Sequence, residues 1–177
     1  ALTRTVEADS DDAEEGSAGD VSLSSSDLEL ANDGRDQQLI GLRFSGVSVP
    51  TGATITAAYV QFQVDEVSTE LSDLSIQSEL AIDARTYTSN QFDISLRSLS
   101  AASVFWQPPA WLTVGERGLA QRTPSLVEVV QEVISQTGWV AGNAIGLVIS
   151  GNGEHTVEAY DGSQDGAPSL YLEYTTA

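Results

Sequence analysis

Two short acidic stretches hold the densest chemistry of this chain, DSDDAEE at residues 9–15 and SSSDLEL at residues 24–30. In the second, Leu28 and Leu30 alternate with Asp27 and Glu29, so an extended strand that buries the leucines turns both carboxylates outward. If the first stretch pairs with it, Asp12 and Glu14 join the same patch. Four clustered carboxylates repel one another, and a hard cation with oxygen ligands relieves the repulsion, which makes Ca2+ the expected cofactor. Asp161 and Asp165, in the turn YDGSQDGAP, are the candidates for a second site completed by backbone carbonyls. No string matches the EF-hand loop, and the same acids also read as a plain solvated face.

A second constellation suits polyhydroxylated ligands. Aromatic rings stack on pyranose faces while amides bond the hydroxyls. Tyr59, Gln61 and Gln63 alternate along one stretch, with Gln77 and Tyr171 on others, and all five should point away from the core. An ordinary wet sheet face has the same composition. In SVFWQPPAWL, Trp106 and Trp111 flank two prolines that cannot continue a ladder. They read first as the plug of a core and second as a sugar platform; Trp139 reads as core as well. Catalytic chemistry is poorly served. His155 is the single histidine, expected on the surface of a turn; no G-x-S-x-G elbow occurs, and a His-rich metal site needs more than one imidazole. No carboxylate pair stands out by spacing as a glycosidase dyad. The expectation is a protein that is not an enzyme.

Composition narrows the partners. Twenty-six acids face seven basic residues, all arginine, for a formal charge of −19. Nucleic acid and anionic membranes both attract basic patches, so neither is an expected partner. No apolar run is long enough for a membrane span. The lysine-free, acid-rich bias is of the kind carried by marine or halophilic secreted proteins, and the missing initiator Met reads as a mature or excised fragment that begins after a removed leader. With no cysteine, disulfides and thiolate zinc sites are excluded.

The elements that must position these residues follow a two-residue rhythm. Ala58, Val60, Phe62 and Val64 alternate with polar neighbours; Leu74, Ile76 and Leu80 do the same, as do Ile40, Leu42 and Phe44, then Leu170, Leu172 and Tyr174. Such alternation marks half-buried antiparallel strands, and Gly-, Asn- and Pro-rich turns separate them. One segment is helical in spacing: Leu126, Val129, Val130, Val133 and Ile134, with Thr123 as the expected cap and Gly138 as the stop. The expected fold is therefore all-β, an antiparallel β-sandwich of jelly-roll type with one short amphipathic α-helix at about 124–137. It forms a single domain over 1–177, with 1–19 as a partly flexible arm.

The segment GLRFSGVSVPTGATITAAYVQF resembles the R-x-x-L-R-F … I-P-x-G-A-x-I-x-x-A stretch of DNRLRE-type modules, a group that includes carbohydrate-binding module family 96. The helix with GWVAGNAIGLVI, and the closing YDGSQDGAPSLYLEY, are similar to two further segments of that group in the same order. The eponymous Asp-Asn-Arg-Leu-Arg-Glu string is absent, and Tyr160-Asp161-Gly162 stands where the closing motif has Ser-Arg-Glu. The resemblance implies a non-catalytic β-sandwich of a secreted bacterial protein, some relatives of which bind polysaccharides such as alginate. The expected function is carbohydrate binding in an extracellular, multidomain protein. A neutral polysaccharide is expected over a polyanion, because the chain is acidic and its arginines are scattered in sequence. The alternative is a structural or adhesive subunit of a surface layer or filament, whose partners are neighbouring domains or copies of itself.

Overall fold

In a computed structural model describing residues 1–177, the chain forms thirteen strands and one α-helix. The strands are β1 (Leu2–Thr5), β2 (Asp12–Glu15), β3 (Val21–Ser22), β4 (Asp27–Glu29), β5 (Asn32–Asp33), β6 (Asp36–Gln37), β7 (Leu39–Phe44), β8 (Thr54–Gln61), β9 (Asp73–Ser78), β10 (Val104–Trp106), β11 (Ile145–Asn152), β12 (Thr156–Glu158) and β13 (Ser169–Thr175). One layer is a six-stranded sheet in the order β10-β9-β11-β7-β2-β3; the other is built on β1-β13-β8. All pairings are antiparallel. The result is an all-β sandwich.

The second layer is longer than its three strands. Gln61 opposes Ser169 of β13, and three residues on, Val64 bridges Val157 of β12. β12 and β13 thus flank the same side of one long stretch, 54–64, and residues 159–168 bulge out between them. β12 in turn carries β4. Residues 1–19, expected as an arm, supply β1 to one layer and β2 to the other, where ladder bonds hold both.

The alternation seen in sequence sets which side chains enter the core. Ala58, Val60, Phe62 and Val64 are buried, as are Leu74, Ile76, Ile40, Leu42, Phe44, Leu170 and Leu172. They belong to one cluster of 33 buried residues, the apolar contact that drives the two layers together. Leu80 departs from the pattern and is exposed: β9 ends at Ser78, and the Leu80 backbone N–H bonds Ser98 in the following loop. Tyr174 is only half-buried, following a bulge between Glu173 and Tyr174.

The helix, α1 (Val127–Ile134), is shorter than its periodicity implied. Thr123 does not cap it. The Thr123 hydroxyl accepts from Val60 N (3.0 Å), and the N–H groups of Thr123 and Leu126 bond the Val60 and Ala58 carbonyls. Residues 121–126 are therefore spent lining the free edge of β8, and helical geometry begins only afterwards. From there Val129, Val130, Val133 and Ile134 close the flank of the sandwich between β8 and β9.

The outer face of the six-stranded sheet is covered by the insertion 81–99. Tyr87 and Ile94 pack on Ala13 and Val148, and Glu15 caps the backbone N–H groups of Ile94 and Ser95, both at 2.8 Å. Tyr87 lies against Gly41, where a Cβ would fall 2.6 Å from the ring. At its centre the buried Arg97 guanidinium makes five hydrogen bonds, to Glu79, to the Asp93 carboxylate and to the carbonyls of Arg85, Thr86 and Asp93. That satisfies every N–H a guanidinium has. It also sits 4.2 Å over the Tyr87 ring.

Candidate functional site

With one sheet face covered, the outer face of β1-β13-β8 is left to solvent. Tyr171 and Tyr59 are directly opposed in the β13–β8 register, and their rings stack with centroids 4.8 Å apart. Direct opposition on one face is what lets cross-strand rings meet. Arg122, bridged to Gln61 on the far side of β8, lays its guanidinium 4.0 Å over the Tyr59 ring and donates from Nε to Gln61 Oε1 at 3.2 Å. The order across the sheet is Arg122, Tyr59, Tyr171, and then Thr3 on β1, which opposes Tyr171. The Tyr171 hydroxyl donates to Glu173, which holds the phenol above its ordinary pKa. Arg117 reaches the same face, with Nη2 donating to Ser169 Oγ at 2.9 Å.

Of the seven residues expected to contact sugar, Tyr59, Gln61 and Tyr171 come together here. Gln63 lies further along, where an added Cβ on Gly166 would fall 2.9 Å from its Nε2, so the 159–168 bulge crowds it. Gln77 is on the other layer and donates to the Ser100 carbonyl (2.8 Å). Trp106 and Trp111 offer no platform, because both are buried. Phe62, Trp106 and Trp111 form a continuous run of rings in the core, and Trp111 Nε1 donates to Ala120 O at 2.8 Å. The prolines between them let the chain fold back so that both indoles turn inward. Arg122 and Glu173 were missed in sequence. Arg122 had only its place before Thr123 to mark it, and Glu173 needed the register of β13.

The carboxylates are arranged otherwise than expected. β2 lies between β7 and β3, while β4 pairs with β12, so the two acidic stretches are not neighbouring strands. Asp12 and Glu14 oppose Leu42 and Ile40, which puts them on the inward face, where both are buried. The expected patch of four is therefore divided. Asp12 Oδ2 accepts from Tyr160 N, and burial raises its carboxyl to about 7, with Asp161, Asp11 and Glu14 adding to the rise. Glu14 and Glu29 converge on Gln38, whose Nε2 donates to Glu14 Oε2 (2.6 Å) and Glu29 Oε2 (3.2 Å). Burial, then Glu14, pushes Glu29 up to about 8. Asp161 and Asp165 are both exposed on the 159–168 bulge.

Asp27 turns instead toward Asp65 and Glu66, and one carboxylate oxygen from each lies within 4.8 Å of the others. That spacing fits a divalent cation, whose oxygen ligands sit roughly 2.3–2.6 Å from the metal. Glu158, opposite Asp27 in the β12–β4 pair, is pushed up to about 7 by burial first, then by Asp65 and Asp27. This cluster can hold a metal ion. Asp65 and Glu66 follow the long strand directly, so their convergence with Asp27 depends on the β8–β12–β4 order, which the sequence did not reveal.

His155 is buried, not in a surface turn. Its Nε2 faces the Pro109 carbonyl (3.0 Å) and its Nδ1 faces Ser72 Oγ (2.6 Å), which assigns the proton to Nε2. Burial lowers its pKa, and the ring meets Trp111 edge-on at 4.5 Å. Ser72 is equally buried, so the pair is closed to a substrate.

The architecture thus defines a class: a β-sandwich with one face shielded by an insertion and one open face bearing stacked tyrosines. No family model and no curated protein matches the chain.

Proposed function

We propose that this protein is a non-catalytic, extracellular carbohydrate-binding module that takes a neutral polysaccharide on the open face of β1-β13-β8. The carrying observation is the Tyr59–Tyr171 stack with Gln61, Arg122 and Glu173 around it. Ring area for C–H stacking, amide and guanidinium donors and a carboxylate acceptor are the groups a pyranose engages. The resemblance of its GLRF, GWVAGN and APSLYLEY segments to carbohydrate-binding module family 96 supports the same reading, and so does the acidic composition for secretion into salty surroundings. Calcium at Asp27, Asp65 and Glu66 would tie the chain after β8 to β4, stabilising the fold away from the tyrosines. Retention of the chain on a panel of insoluble polysaccharides tests the proposal. The wild type is expected to be retained and Tyr59→Ala/Tyr171→Ala to flow through; equal retention of both, or of neither, overturns it.

A structural or adhesive role is favoured by one different feature. Val67 (55%), Leu71 (83%) and Leu112 (67%) are exposed on two segments that the Ser68–Trp111 bridge holds side by side. Apolar ends of this kind are buried when copies assemble. Concentration-dependent association without polysaccharide retention would favour this role over the first.

A further inference from the structure

The stack on the open face is unfinished at one end, and this deepens the carbohydrate reading on which it rests. Arg122 caps Tyr59 from outside β8, Tyr59 covers one face of Tyr171, and the next place in the row lies over Thr3, a small exposed side chain on β1. Two residues further along β1, Thr5 begins a recess of about 420 Å³ lined also by Glu7, Tyr160, Gln164 and Asp165. Thr3 and Thr5 are separated by roughly 6.6 Å of strand, so a ring above Thr3 has the recess beside it.

We propose that the far face of Tyr171, above Thr3, is the stacking position for one uncharged pyranose ring, and that the recess at Thr5 receives the hydroxyls of the adjoining unit. The electron-rich ring face attracts the electropositive C–H face of a sugar. The charges fix the class of ligand. Glu173 is bonded to the Tyr171 hydroxyl, and Glu7 and Asp165 line the recess, so a uronate carboxylate entering either place meets negative charge. Arg122 lies on the opposite side of Tyr59, and Arg117, which reaches Ser169 beside Thr5, spends its donors on the Gly166 and Ala167 carbonyls and the Ser169 hydroxyl. Glu173 is the specificity-determining residue, turning away acidic sugars while accepting from neutral ones.

The test is calorimetric titration with cellohexaose, mannohexaose, xylohexaose and an alginate hexamer, each with wild type, Tyr171→Ala, Thr3→Trp and Glu173→Gln. Circular dichroism checks that each variant is folded. At least one neutral hexamer is expected to bind the wild type ten-fold or more tighter than the alginate hexamer. Thr3→Trp, which places an indole in the vacant position, should abolish that binding while leaving the tyrosine pair in place, and Tyr171→Ala should weaken it at least ten-fold. Glu173→Gln should narrow the gap to the alginate hexamer. If a hexamer binds but Thr3→Trp and Tyr171→Ala bind it as the wild type does, this position is wrong and carbohydrate binding stands. A wild type that prefers alginate overturns the charge selection. If no hexamer binds at millimolar concentration, the carbohydrate reading and this position fall together.

Discussion

Asp12 accepts a hydrogen bond from the backbone N–H of Tyr160 at 2.8 Å, from a buried place on the inward face of β2. The bond joins the six-stranded layer to the start of the 159–168 bulge. It also keeps a carboxyl where its ionised form is poorly solvated. A folded pKa of about 7, above the ordinary 3.8, means that the native state holds a proton that the unfolded chain releases. The stabilisation from this group is complete below about pH 4 and is lost as the pH rises to 7. Asp12→Asn keeps an acceptor for Tyr160 and removes the titration. It should melt with the wild type at pH 4 and roughly 5 °C above it at pH 8. Parallel melting curves at the two pH values decide the matter: a variant less stable at pH 8 would contradict the burial cost.

Trp111 is expected to matter for stability alone. Truncation to Ala leaves a large cavity beside Trp106 and His155 and strands the Ala120 carbonyl, a loss of about 3–5 kcal/mol. Thermal melts should fall by on the order of 10 °C, while the fraction that remains folded at low temperature keeps the polysaccharide retention of the wild type. Loss of retention in a fully folded variant would return the indole to the ligand.

Gly41 is needed for the close approach of Tyr87 and not for an unusual backbone angle. A Cβ there would meet the ring Cζ at 2.6 Å. Gly41→Ala should therefore cost about 1–3 kcal/mol by lifting the insertion from the sheet. In Tyr87→Ala the space is free, so the same substitution should cost much less there; chemical denaturation of the four-member cycle measures the difference. Equal costs in both backgrounds would separate Gly41 from Tyr87.

Calcium should raise the melting temperature of the wild type, because an ion bound by the native state alone stabilises it by mass action. Asp65→Asn removes one of three converging carboxylates and a neighbour of Glu158. It should melt no lower than the wild type in chelator, since repulsion is relieved, and should lose most of the calcium-induced rise. A wild-type melt indifferent to both chelator and added calcium would remove the ion from this cluster.

The strands were legible in the sequence because each carries its own signal: Val60 and Phe62 go inward whatever pairs beside them. What depended on pairing was not. Tyr59 and Tyr171 both read as outward, yet their stacking required the register of β13 on β8. Asp12 and Glu14 read as outward on the premise that their strand pairs with the 24–30 stretch, whereas β2 has β7 on one side and β3 on the other, and its carboxylates accept from Glu29 N and Tyr160 N across the layers. The helix start was misplaced for a similar reason: Thr123 is a good cap chemically, but its hydroxyl is taken by Val60 N in another part of the chain. Residues 81–99 have no periodicity, and nothing local marks Arg97 as the one arginine with both neighbouring acids and three carbonyls folded around it.

That guanidinium has a kinetic consequence. The 81–99 segment contributes no strand of its own, so it has no ladder to fray bond by bond; four of the five Arg97 bonds gather the segment around one side chain, and the fifth ties it to Glu79. Releasing one bond leaves the others strained around a charge that water cannot yet reach, so the segment should open all at once. Amide protons of the insertion would then exchange with solvent deuterium as one cooperative unit, ahead of the ladder amides of the sheet beneath it. Because the chain contains no lysine, trypsin has Arg85 and Arg97 as its only targets there, and cleavage after Arg97 would count the openings.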